Sequence, residues 1–173
     1  DWSFGTVIII TGVVILVLDV ALKEKIGFGT LLNTILIGVF VDGIQALALI
    51  PQMHHFFAGV LLLLLGQVSI CVGSYFYIGA SLGCGPRDAL MVALGKRLPQ
   101  VPIGVIRGSI EGLALLIGWL LGAKIGVGTV ISVFGIGFIL ETTFKLLHFD
   151  VTEVAHESVV DTIKTLQIER ADG

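Results

Sequence analysis

The run Lys25-Ile26-Gly27-Phe28-Gly29-Thr30 returns as Lys124-Ile125-Gly126-Val127-Gly128-Thr129, 99 residues further on. Each copy opens an apolar run of membrane length, and the agreement extends beyond the turn. Ile37-Gly38 aligns with Ile136-Gly137, Asp42 falls opposite Glu141, and Gly5 falls opposite Gly104 at the same offset. An internal repeat constrains the fold more than any composition does, because similar segments build similar units. Since about 20 apolar residues cross a bilayer, the chain reads as an all-α polytopic membrane protein with two related halves.

Composition agrees and narrows the partners. The chain is 55% hydrophobic and 13% charged, with a mean hydropathy of +1.04, whereas soluble domains carry about 25% charged residues. The lipid bilayer is therefore its first partner. A net charge of −3 argues against nucleic acid. Cys71 lies in an apolar run and reads as a small buried hydrophobe. Cys84 falls in a loop, where only a lowered pKa would make it reactive. No cofactor or metal pattern is visible. The adjacent pair His54-His55 would point its two rings apart. The first apolar run lacks the basic start and small-residue site of a cleavable signal.

Taken in order, helices are expected over about 5–22, 29–50, 56–78, 104–121 and 128–147. Pro51 stops the second. Between the third and fourth lies a long connection containing Gly83-Cys84-Gly85-Pro86-Arg87-Asp88. Pro86 after Gly85 is a helix-start signal, so 89–98 should form a short helix of under three turns. That is too short to span, and it would be either a half-helix dipping into the bilayer or an interfacial helix. Residues 1–149 thus form the membrane bundle, with about 1–50 the end of the first repeat and 56–149 the second. The tail, 150–173, has an apolar stripe at Val151, Val154, Val159, Ile163 and Leu166 and reads as an amphipathic helix, capped by Asp150 or Thr152. Its acidic face suits docking on protein better than on anionic lipid.

One set of loops holds Lys23, Lys25, Arg87, Lys96, Arg97, Lys145 and Lys164, and the other holds Lys124 alone. The positive-inside rule puts the first set, and with it the C-terminus, in the cytoplasm. Five spans fit two halves poorly, because nothing before Gly5 corresponds to the third helix and the Gly-Pro-Arg-Asp loop. The expectation is a longer protein with a further N-terminal span, six spans in all, arranged as two inverted three-helix repeats. A natural five-span protein is the alternative.

Leu82-Gly83-Cys84-Gly85-Pro86-Arg87-Asp88-Ala89-Leu90, Ile103-Gly104 opening a span, and Ile125-Gly126-Val127-Gly128-Thr129-Val130-Ile131 opening another together resemble the YczE/YitT-type bacterial integral membrane proteins. The resemblance covers 82–147 well and 5–47 as a diverged first repeat, and it leaves out the tail. It implies a fold and a bacterial inner-membrane location. It implies no chemistry, since members are mostly of unknown function. Members usually begin with one further span.

The residues that could carry chemistry are few. Intramembrane charges face bundle interiors or cavities, which singles out Asp42 and Glu141 as candidates for a coupling ion. The competing reading places both near helix ends, in reach of headgroup water. Arg107 and Glu111, one turn apart, can pair and are ligand candidates or a structural pair. Gly83, Gly85, Pro86, Arg87 and Asp88 would expose half-helix N–H groups and a positive charge to an anionic ligand, or form a plain tight turn. Gly27, Gly29, Thr30, Gly126, Gly128 and Thr129 are the repeat turns. Asn33, Gln45, Gln67 and Ser132 read as interhelical hydrogen-bonding residues. No nucleophile–base set appears, so no enzyme is expected. The leading expectation is a secondary transporter or exporter of a small molecule. The alternative is a non-transporting scaffold or accessory subunit whose tail docks a partner. A chain this small could also pair as a homodimer.

Overall fold

The computed structural model describes residues 2–24, 26–50, 53, 55–81, 83–152 and 154. These residues form six α-helices and no strand: α1 (Phe4–Ala21), α2 (Phe28–Ala46), α3 (Phe56–Gly79), α4 (Pro86–Arg97), α5 (Ile103–Leu120) and α6 (Val127–Leu146). Helix is the only open-ended element a lipid-facing run can adopt, because each backbone group must be satisfied within its own segment. Every helix but α4 is long and apolar enough to cross a membrane, and no more than 28% of any such span is buried within the chain. The remainder is a continuous coat of Val, Leu, Ile and Phe, as a lipid-facing surface requires.

The helix ends show how closely the repeat is kept. α1 and α5 have the same length, 18 residues, and they begin and end at equivalent positions. α2 and α6 start on equivalent glycine caps, Gly27 and Gly126, both extended. α1, α2, α5 and α6 all close with a bond from the residue beyond the turn back to a carbonyl in the last helical turn. The pairs are Glu24 to Asp19, Leu49 to Ile44, Ala123 to Gly118 and Phe149 to Phe144. The turn residue in each takes a left-handed φ: 59° at Lys23, 47° at Ala48, 91° at Gly122 and 49° at His148. This closure satisfies carbonyls that the helix leaves open. It also ends α2 at Ala46, short of the expected Ile50, so Pro51 is not what stops the helix.

The chain forms two compact units. One gathers α1 and α2 with Tyr77–Ala93, and the other gathers α3 up to Phe76 with Leu94–Thr152. The Gly-Pro-Arg-Asp loop therefore packs with the first hairpin, α1 and α2.

Within the first unit, a Cβ on Gly5 would collide with the Gly38 carbonyl, and Gly12 sits 2.9 Å from the Thr34 methyl by the same measure. Glycine is required there because the backbones of α1 and α2 touch. Within the second unit, Gly104 and Gly137 meet in the same way, each blocked by the other's carbonyl. Gln67 of α3 ties to α6 by donating to the Ser132 carbonyl at 2.6 Å, in space left by Gly135. Beyond α6, Phe149 packs edge-on against Tyr75 and Phe144 at 5.1 and 5.2 Å, and Val151 is buried. The start of the tail thus docks on protein. The rest of the expected tail helix, and His54, lie outside the described residues.

Candidate functional site

Asp42 and Glu141 are both claimed by helix ends. Asp42 accepts the Gly5 N–H at 2.7 Å and the Ser3 hydroxyl at 2.6 Å. Glu141 accepts the Gly104 N–H, also at 2.7 Å and across the same separation of 37 residues. In each hairpin a carboxylate on the second helix caps the first turn of the first helix, where N–H groups lack intrahelical partners and the helix dipole favours negative charge. The cap matters most on α5, whose own N-cap is Pro102 with no side-chain bond. Lys145 adds an exposed ion pair to Glu141 at 2.9 Å. Each acid thus caps a helix start within its own hairpin, beside the Gly5–Gly38 or the Gly104–Gly137 contact.

Polar residues that do not repeat are the better candidates for function. Arg107 and Glu111 pair at 3.3 Å on α5, with side chains 9% and 17% exposed. Their counterparts on α1 are Ile8 and Gly12. A cleft of about 490 Å³ in the same unit is lined by Gly104, Val105, Gly108, Ser109, Phe134, Gly137, Phe138 and Glu141. It runs along the α5–α6 seam and is mostly apolar.

The second candidate is the start of α4. The helix begins at Pro86, three residues before the expected 89, with the Gly85 carbonyl accepting from Asp88 and Ala89 at 2.9 and 2.8 Å. It runs 12 residues, about 18 Å of rise and far short of a bilayer. Every uncharged residue in it is buried or half-buried, while Arg87, Lys96 and Arg97 are exposed. An interfacial helix would show one face to lipid or water. α4 buries most of its uncharged residues on protein.

Its approach is tight. Gly83 has a φ of 107°, and a side chain there would meet Thr30 Oγ1 at 2.7 Å and Gly27 Cα at 2.9 Å. Gly85 faces Asn33 Oδ1 at 2.6 Å by the same construction. The first repeat turn and the Gly-Pro-Arg-Asp loop are thus packed together, and Thr30 is 1% exposed. In the second repeat, Gly126 and Gly128 have nothing comparable within 4 Å. Cys84 is buried and outside any disulfide, like Cys71, so the loop cysteine is a packed residue and not an accessible thiol. Among the described residues no group of His, Cys, Asp or Glu could hold a metal.

Asp19 is the functional candidate that sequence reasoning passed over. It is fully buried on α1, and neither carboxylate oxygen has a hydrogen-bond partner among the described residues. The signal was available, because Asp19 follows Gly5 and Gly12 at steps of seven and so lies on the stripe of α1 that packs most closely.

Five membrane-length helices and a short one define a polytopic helical membrane protein. The chain belongs to the YczE-type family of bacterial membrane proteins of unknown function. Residues 1–145 match the family described as "Family of unknown function (DUF6198)". The chain is 36% identical over 126 residues to an uncharacterised protein of Haemophilus influenzae, covering 73% of this chain and 56% of that one. It is 34% identical over 112 residues to the uncharacterised membrane protein YczE of Bacillus subtilis, covering 65% and 51%. The match thus spans about half the length of these relatives. No solved structure matches the chain.

Proposed function

We propose that the chain is the helical core of a secondary transporter or exporter for a small molecule in the bacterial inner membrane. The observation that supports this most is the presence of two copied hairpins, α1–α2 and α5–α6, together with a helix, α4, too short to span. Transporter folds commonly combine repeats with a discontinuous helix whose end meets the substrate. In the proposed arrangement the two repeats are inverted, the C-terminus is cytoplasmic, and the start of α4, with Arg87 as its exposed cation, receives an anionic or carboxylate-bearing solute. The loop charges support the orientation, since Lys23, Arg87, Lys96, Arg97 and Lys145 share one set of connections and Lys124 stands in the other.

The test is ligand-induced thermal stabilisation of the full-length protein in detergent, against small organic anions, organic cations and hydrophobic drugs. A true ligand at a hundredfold excess over its Kd stabilises by about 2.7 kcal/mol. The expected hit is an anion, lost in Arg87→Ala and followed by counterflow in proteoliposomes. Binding without flux, or a stoichiometric protein partner copurifying with a chain that binds no solute, would overturn the reading in favour of an accessory subunit.

A further inference from the structure

We propose that Asp19 carries a proton in the conformation described here and is a proton-binding site of this protein. Its carboxyl group is 0% exposed, and both oxygens lack a hydrogen-bond donor among the described residues. An ionised carboxylate so placed would have neither water nor counter-charge, and a buried group in that position neutralises instead. Protonation removes the charge, which is the largest part of that cost.

A metal or hydrated cation fits the site less well. Hard cations take six or so oxygen ligands, and among the described residues Asp19 joins no group of three acidic, histidine or cysteine side chains that could hold one. A proton needs no such group. Among the described residues, no charged group on a neighbouring element hydrogen-bonds to the acid. α2 contributes one charge, Asp42, which is held at the far end of the hairpin by Ser3 and Gly5. Arg87 and Asp88 at the start of α4 have partners of their own. The turn after α1 brings Lys23, which is exposed, and Glu24, which carries the same sign of charge as a carboxylate.

Asp19 is not part of the repeated scaffold, since its counterpart in the second repeat is Gly118. The hairpin fold therefore does not require an acid there. Releasing the proton requires Asp19 to meet water or a positive group, so proton exchange is tied to a change of conformation in the first unit. The inference rests on the burial of Asp19 and stands apart from the transport reading. Joined to that reading, it names the proton as the coupling ion.

Infrared difference spectroscopy of the full-length protein in lipid nanodiscs tests this at neutral pH, with the proton itself as the probe. A protonated carboxylic acid has a carbonyl stretch distinct from that of a carboxylate. The expected result is such a band in the parent protein, reduced to baseline in Asp19→Asn and retained in Asp42→Asn. Asp19→Leu, which keeps the apolar fit, serves if the Asn variant does not fold, and it too must lose the band. A parent spectrum without the band, or a band that survives both Asp19 variants, overturns the proposal. A band present in a protein that moves no solute would overturn the transport reading and leave the proton site standing.

Discussion

Asp42 and Glu141 each tie the second helix of a hairpin to the start of the first. A carboxylate well inside an apolar run invites a ligand, yet each here already accepts a backbone N–H at 2.7 Å. A hydrogen bond to a charged group contributes about 1.5–3 kcal/mol, so Asp42→Ala and Glu141→Ala should each lower unfolding stability by that order. Thermal or denaturant unfolding in detergent checks this. The glycines beside them are less tolerant of change. Gly104→Ala places a methyl group against the Gly137 carbonyl, and overpacking of this kind costs about 1–3 kcal/mol. Gly66→Ala on α3 meets nothing within 4 Å and should be neutral or stabilising by up to about 1 kcal/mol, since Ala is the better helix former. The same unfolding assay on the two variants separates close packing from helix propensity. Outside the spans, hydrogen bonds from the Thr152 hydroxyl and N–H, at 2.6 and 2.9 Å, hold the Asp150 carboxyl below its ordinary range. The folded form is thus favoured above the unfolded value of that acid, and the benefit is lost as pH falls through the depressed folded value. Thr152→Ala should move the Asp150 titration back up, as followed by carboxyl NMR.

At the scale of elements, the spans were legible because lipid leaves a long apolar run only one way to fold. Five such helices and their order follow from the runs and the turn signals. The Pro86 start of α4 was legible for the same kind of reason, since proline suits a first helical turn. The end of α2 was not legible. Its closure uses Ala48 in a left-handed turn, a position that glycine usually marks, so the apolar run through Ile50 disguised it. Nor was the place of the 83–88 loop, which joins the first hairpin through Gly83, Thr30 and Gly27. Such a packing choice depends on fit between residues about 55 apart, which no local periodicity records. Gly83→Ala tests it, because a φ of 107° and a side chain 2.7 Å from Thr30 Oγ1 both oppose the substitution. The expected loss is about 1–3 kcal/mol, with Thr30→Ala, which removes that oxygen, recovering part of it by unfolding assay. Asp19 was hidden in a different way. A single acid near a helix end reads as one that reaches water, and only the fold shows that this one does not.

For the whole molecule, the repeat divides residues by role. What recurs at the 99-residue offset, the glycine contacts and their carboxylate caps, is architecture. What does not recur where both copies are present, namely Asp19 and the Arg107–Glu111 pair, is where function has room to differ. The two hairpins also carry a consequence for how such a chain is made. In each, the cap and the glycine contact join residues of adjacent spans, and the acid arrives 37 residues after the amide it binds. Each hairpin can therefore close as soon as its second helix leaves the ribosome, without waiting for the other. The chain would enter the bilayer in ready-made pairs, with the first-turn amide of the leading helix satisfied before any distant segment has been synthesised.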